Sequence, residues 1–179
     1  MLENMRNYLL SSNMCADDKR YTMNFCKKIQ YLDELHQYIA KDTGEHVSVG
    51  YGNVNSRVCI VVQNEKALNV VKPLIQSVLN KFNMNFWDIY ITFVDKTEQE
   101  YAKKYSVLVN EIHAINPGIL YVLDKDDTIY SSIMQELTTR NVNVLEKHFN
   151  IEIELLASTD VEVRKALWQK FKYLINYKE

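Results

Sequence analysis

The chain has 179 residues, 47% of them hydrophobic and 25% charged, with a formal net charge of -2. That length suits one domain spanning residues 1–179 with a sizeable core, and the composition is ordinary for a globular protein. The near-neutral charge argues against a protein that coats nucleic acid, while leaving room for a local basic patch.

Cys15, Cys26 and Cys59 form no CxxC pair, and Cys59 lies inside an apolar run. Reduced structural thiols in a cytoplasmic protein are therefore expected, not a disulfide framework or a zinc site. No apolar run approaches the ~20 residues of a membrane span, and the amino terminus has no signal-peptide core. No membrane contact is expected.

Residues 1–45 read as a helical extension, with Tyr21, Phe25, Ile29, Leu32, His36 and Ile39 on one face. Asp42-Thr-Gly-Glu breaks that pattern, and His46 to Val49 suggests a small edge strand. Val58 to Val62 is an unbroken, β-branched run, the signature of a strand buried on both faces. An apolar stripe follows through Ala67, Val70, Val71, Leu74, Ile75, Val78, Leu79 and Phe82, with Pro73 predicting a kink or a fresh start. Ile89 to Val94 is the second strand. Thr97-Glu-Gln-Glu100 is a capping box for a helix burying Tyr101, Tyr105, Leu108, Ile112 and Ile115.

Gly118 to Leu123 is the third strand, followed by Asp124-Lys-Asp-Asp127 and a helix with Ile129, Ile133, Met134 and Leu137. A further helical piece passes through Val144 and Leu145. Ile151 to Leu156 alternates apolar residues with Glu152 and Glu154, as a strand near a sheet edge does. Thr159-Asp-Val-Glu162 is a second capping box, opening a last helix with Val163, Ala166, Leu167, Phe171, Leu174 and Ile175 inward. The predicted fold is α/β: a three-layer α/β/α domain around a mostly parallel four-stranded sheet, preceded by N-terminal helices.

Four segments carry a family resemblance. Gly50-Tyr-Gly-Asn with Ser56-Arg-Val-Cys-Ile-Val-Val, Trp87-Asp-Ile-Tyr-Ile-Thr92, Glu111 to Leu123, and Asp160 to Trp168 occur in order. Together they resemble the iron–sulfur branch of the uracil-DNA glycosylase superfamily. That resemblance implies a uracil-DNA glycosylase-like fold, with a nucleobase cleft beyond the carboxyl ends of the strands.

The resemblance also implies that catalysis is gone. The family's Gly-Glu-Ala-Pro-Gly, which positions the attacking water, corresponds here to Val62-Gln-Asn-Glu-Lys66, with no glycine for a close backbone approach. The asparagine that reads uracil is replaced by Phe93, which offers no hydrogen bond there. The closing His-Pro-Ser falls on Ile153-Glu-Leu155, and no cysteines match the cluster ligands. No catalytic residue and no cofactor are expected. His148 precedes the predicted last strand, at the wrong end of the sheet to substitute, and His113 is expected to be a packing residue.

A vestigial binding cleft would comprise Gln63, Asn64, Phe93, Asp95, Asp124, Ser158 and Thr159. The plainer alternative is that these loops are polar because they face water, with Thr159 and Asp160 capping a helix. A second alternative uses the acids. Glu65, Asp124 and Asp126 resemble the glutamate and Asp-x-Asp of Toprim domains, which hold Mg²⁺ for phosphodiester chemistry, although Lys66 stands where glycine should follow the glutamate.

Basic residues Lys19, Arg20, Lys27 and Lys28, and Arg164, Lys165, Lys170, Lys172 and Lys178, interleave with Tyr21, Trp168 and Tyr173. They suit either a phosphate backbone or the solvated face of amphipathic helices. The expected function is that of a pseudoenzyme, an accessory protein of the viral or mobile-element kind, binding DNA or a DNA replication or repair protein. A pure protein–protein module is the remaining alternative.

Overall fold

The computed structural model describes residues 27–35, 37, 50–94, 101–125, 127–139 and 145–177, with the backbone alone for 101–107 and 175–177. The capping box at Thr97, the expected strand at His46 to Val49, Asp95, Asp126, Cys15, Cys26 and the helical piece through Val144 lie outside these residues.

Residues 27–35 form helix α1. Next come β1 (Tyr51–Gly52), β2 (Val58–Val62), α2 (Glu65–Lys81), β3 (Tyr90–Phe93), α3 (Tyr101–Ile115), β4 (Ile119–Asp124), α4 (Thr128–Thr139) and β5 (Lys147–Glu152). A 3-10 turn at Ile153–Ala157, helix α5 at Val161–Phe171 and a second 3-10 segment at Lys172–Tyr177 complete the order. The fold is α/β, as expected from the alternation of strand and helix patterns. Among the described residues no helix is long and apolar enough to cross a membrane.

Among the described residues the sheet has five strands, not the four expected, in the order β1-β3-β2-β4-β5. The extra strand is β1, only two residues long and antiparallel to β3, pairing Tyr51 with Ile91 and Gly52 with Tyr90. So short a strand has no periodicity to detect. Its shape comes from two glycines. Gly52 sits at φ +112, where an L side chain is strained and a Cβ would run into the Ile89 carbonyl. A Cβ on Gly50 would collide with the Tyr90 hydroxyl and the Glu111 carboxylate.

The other four strands are parallel. Every residue of β2, β3 and β4 is buried, because helices cover both faces. On one face Val58, Ile60, Val62, Ile91, Phe93, Tyr121 and Leu123 pack against Leu68, Val71, Ile75 and Leu79 of α2 and Leu167 and Phe171 of α5. On the other, Cys59, Val61, Tyr90, Leu120 and Val122 meet Ile29 and Leu32 of α1, Ile112 of α3, and Ile129, Ile133 and Leu137 of α4. Each such fully buried aliphatic side chain stabilises the fold by about 1.5–3 kcal/mol.

Several local expectations change. Helix α2 runs through Pro73 without restarting. The proline is exposed, so the Asn69 carbonyl that it leaves without an intrahelical donor lies on a wet surface. Val70, expected inside, is 74% exposed. The last strand is Lys147–Glu152, four residues earlier than predicted, and Ile153–Ala157 is a 3-10 turn. The edge position explains the error. Only Ile151 of β5 is fully buried, so its pattern is too weak to fix the boundaries. The cap of α5 is Asp160, not Thr159, and Ala166 is exposed.

Candidate functional site

Chain order and spatial order differ at one place in the sheet. From β2 the chain passes through α2 to β3, then through α3 back across β2 to β4. A crossover of fixed hand that reverses direction puts its helix on the opposite face. Ligands in such sheets gather where the carboxyl ends of the two diverging strands meet, here β2 and β4. The register aligns Val62 with Phe93 and Leu123, Leu123 with Ile151, and Asp124 with Glu152. The rim therefore carries Gln63 and Asn64, Phe93 and Val94, and Asp124 in neighbouring positions.

Most polar atoms at this rim are already used by the fold. Asn64 is the N-cap of α2, its Oδ1 accepting the Ala67 N–H at 2.9 Å. Asp124 is 3% exposed; its Oδ1 accepts the Lys125 N–H and its Oδ2 the Ile129 N–H, both at 2.8 Å. It thus caps the amino end of α4 from the preceding strand. Phe93 is 6% exposed and packs against the Tyr51 ring at a centroid distance of 6.1 Å. The Tyr51 phenol is raised above its ordinary pKa by burial and then by the nearby Glu65 charge.

Gln63 is half-buried and Glu65 is exposed in the first turn of α2. Ser158 and Thr159, expected in the cleft, lie away from the rim: the 3-10 turn at Ile153–Ala157 separates them from β5, and Ser158 lies in a groove with Val78 and Lys81 in the last turn of α2, whose first turn is the one at the rim. Ser158 Oγ accepts the Asp160 N–H at 3.2 Å, and Thr159 is exposed. Asp160 Oδ1 accepts from the Glu162 and Val163 N–H groups at 2.8 and 3.1 Å. Of the acids in the Mg²⁺ alternative, Glu65 is exposed while both oxygens of Asp124 hold backbone amides. Among the described residues no group of three His, Cys, Asp or Glu side chains could hold a metal ion.

His148 and His113 lie elsewhere. His148 is the second residue of β5, paired with Leu120 near the amino end, and its Nδ1 is 2.7 Å from the Tyr130 hydroxyl. It belongs to the strand instead of preceding it, yet it remains far from the rim. His113, expected to pack inward, is exposed and lines a cavity.

A groove of about 260 Å³ between α2 and α5 adjoins Ser158 and is walled by Leu74, Val78, Lys81, Arg164 and Trp168. Trp168 stacks on Phe82 at 5.1 Å, with the Lys81 ammonium 5.5 Å from the indole centroid. The remaining lysines of the last helix and its 3-10 extension point to local partners. Lys165 pairs with Glu162, Lys172 donates to Gln169, and Lys170 donates to the Asn150 carbonyl. Lys178 lies outside the described residues.

Two features have no counterpart among the sequence expectations. One is a buried polar cluster. Glu111, 4% exposed, accepts hydrogen bonds from the Tyr90 hydroxyl and, at 2.5 Å, from Thr92 Oγ1. Burial, followed by the Glu111 charge, raises the Tyr90 phenol and the neighbouring Cys59 thiol well above their ordinary values. The available signal was a glutamate flanked by the apolar positions Leu108, Ile112 and Ile115 of one helix. The other is a cavity of about 730 Å³ at the amino ends of the strands, beside Arg57, Gly118 and Glu146. Its lining comes from four separate segments and has no sequence signature.

At the rim the side-chain acceptors of Asn64 and Asp124 are thus held by backbone amides at the amino ends of the helices that follow. No protein-family model and no curated protein matches this chain.

Proposed function

We propose that this chain is a catalytically silent protein with a uracil-DNA glycosylase-like fold, acting by binding DNA or a protein of DNA replication or repair. The observation that carries this reading is the fate of the rim: Asn64 and Asp124 cap helices, and Phe93 is buried. Side chains committed to helix amino ends cannot at the same time position a water or bind a base edge.

Two observations support the ancestry and the partner. The runs ending at Val62, Phe93, Asp124 and Glu152 lie side by side and parallel in one sheet, as the resemblance requires. The groove next to Ser158 joins two cations, Lys81 and Arg164, to the 41%-exposed Trp168, a combination suited to a phosphate backbone with an adjoining base.

The test is a pair of measurements on the full chain. Uracil-containing single- and double-stranded oligonucleotides should survive incubation intact; excision by clean protein refutes the loss of catalysis. Fluorescence anisotropy with a single-stranded oligonucleotide should give affinity falling with salt, at a log–log slope of about -1.4 for two phosphate contacts. Salt-independent binding, or none, removes DNA as the partner. Trp168→Ala should weaken binding by about 1–3 kcal/mol, as loss of a stacked base does.

A further inference from the structure

The cavity at the amino ends of the strands lies at the opposite end of the sheet from the rim, and its chemistry is independent of whether the rim binds DNA. Its volume of about 730 Å³ is within the range of small-molecule sites. Helix α1 forms one wall with Lys27, Lys28 and Tyr31, while Arg57, His113 and Glu146 line the other sides. Arg57 and Glu146 pair at 2.8 Å, so their charges largely cancel. Among the described residues that line it, Lys27 and Lys28 are then the charges that set the sign of the cavity.

Lys28 is the informative one. Its ammonium is half-buried and lies 3.0 Å from the Ile115 carbonyl and 3.3 Å from the Val54 carbonyl, both neutral acceptors. Among the described residues no carboxylate pairs with it, and burial lowers its pKa. Ile115 ends α3, and a helix carboxyl end supplies only about half a negative charge. A positive charge withdrawn from water therefore remains only partly compensated, the condition that a bound anion relieves. Tyr31, 44% exposed, presents an aromatic ring in the same cavity.

We infer that this cavity binds a phosphate-bearing small molecule of nucleotide size, with the phosphate near Lys27 and Lys28 and the base against Tyr31. The probes are AMP, GMP, dCMP and dTMP, their nucleosides, and inorganic phosphate, each titrated into the full chain by calorimetry and by thermal shift. At least one monophosphate should raise the melting temperature and bind about ten-fold or more tighter than its nucleoside and than phosphate alone. Lys28→Gln threatens the docking of α1, so the variants are at exposed positions, Lys27→Gln and Tyr31→Ala. Each should weaken the monophosphate about three- to ten-fold with an unchanged unliganded melting temperature. The inference is overturned if no monophosphate binds, if nucleoside or phosphate binds equally well, or if neither variant alters the affinity.

Discussion

Asp124→Ala separates a structural carboxylate from a metal ligand. The substitution removes the acceptors of two backbone amides, Lys125 N–H and Ile129 N–H, each held at 2.8 Å. Lys125 is exposed, so water can replace the first bond at small cost. Ile129 is 1% exposed, and its amide would be left in an apolar interior. Losing a hydrogen bond to a charged acceptor costs about 1.5–3 kcal/mol, and losing the negative charge at a helix amino end about 0.3–1 kcal/mol more. The expected loss is therefore about 2–4 kcal/mol. With a urea slope of about 2 kcal/mol/M, the unfolding midpoint should fall by about 1–2 M. Asp124→Asn, which keeps one acceptor, should fall in between. Mg²⁺ should leave the midpoints of all three proteins unchanged. A variant within about 0.5 kcal/mol of the parent, together with Mg²⁺ stabilisation of the parent alone, refutes the capping argument and revives the phosphodiester alternative.

Other perturbations test the remaining parts. Gly50→Ala drives a methyl group into the Tyr90–Glu111 pair and should destabilise by about 1–3 kcal/mol in the same urea assay; a neutral result would show that the pair shifts freely. Phe93→Asn, which places there the asparagine of the family that the sequence resembles, should cost about 3–5 kcal/mol from the core without producing uracil excision; excision would overturn the proposed loss of catalysis. The pH dependence has a definite sign. The folded chain holds the Tyr90 phenol and Cys59 thiol well above their ordinary values of 10.0 and 9.0, so it keeps protons that the unfolded chain releases. Their contribution is complete below the unfolded values and lost as pH rises through the folded ones. Stability should decline above about pH 9–10, and Tyr90→Phe should flatten that alkaline limb. An unchanged limb would place the titration elsewhere.

The central strands were legible because they are enclosed. Val58–Val62 appeared where predicted to the residue, since a run covered on both faces tolerates only apolar, β-branched side chains and their like. Positions requiring long-range partners were less legible. Asp124 was visible as an acid after a strand, but whether it serves a ligand or the Ile129 amide depends on where α4 begins. Glu111 was visible as a glutamate in a helical stripe, yet its hydroxyl partners on β3 are about 20 residues away along the chain. His113 stands next to the apolar stripe, which suggests a packing residue, yet it is exposed, because a shift of one helical position separates core from solvent.

By itself the sequence determined the alternation of strands and helices, the mostly parallel sheet and the position of its enclosed central strands. Each of these follows from local periodicity or from the chemical group at a given position. The tertiary structure alone decided that β1 joins as a fifth strand, that the last strand ends at Glu152, and that a cavity of about 730 Å³ opens at the amino ends of the strands. Those outcomes depend on backbone pairing and on surfaces assembled from distant segments, which no local pattern of side chains encodes.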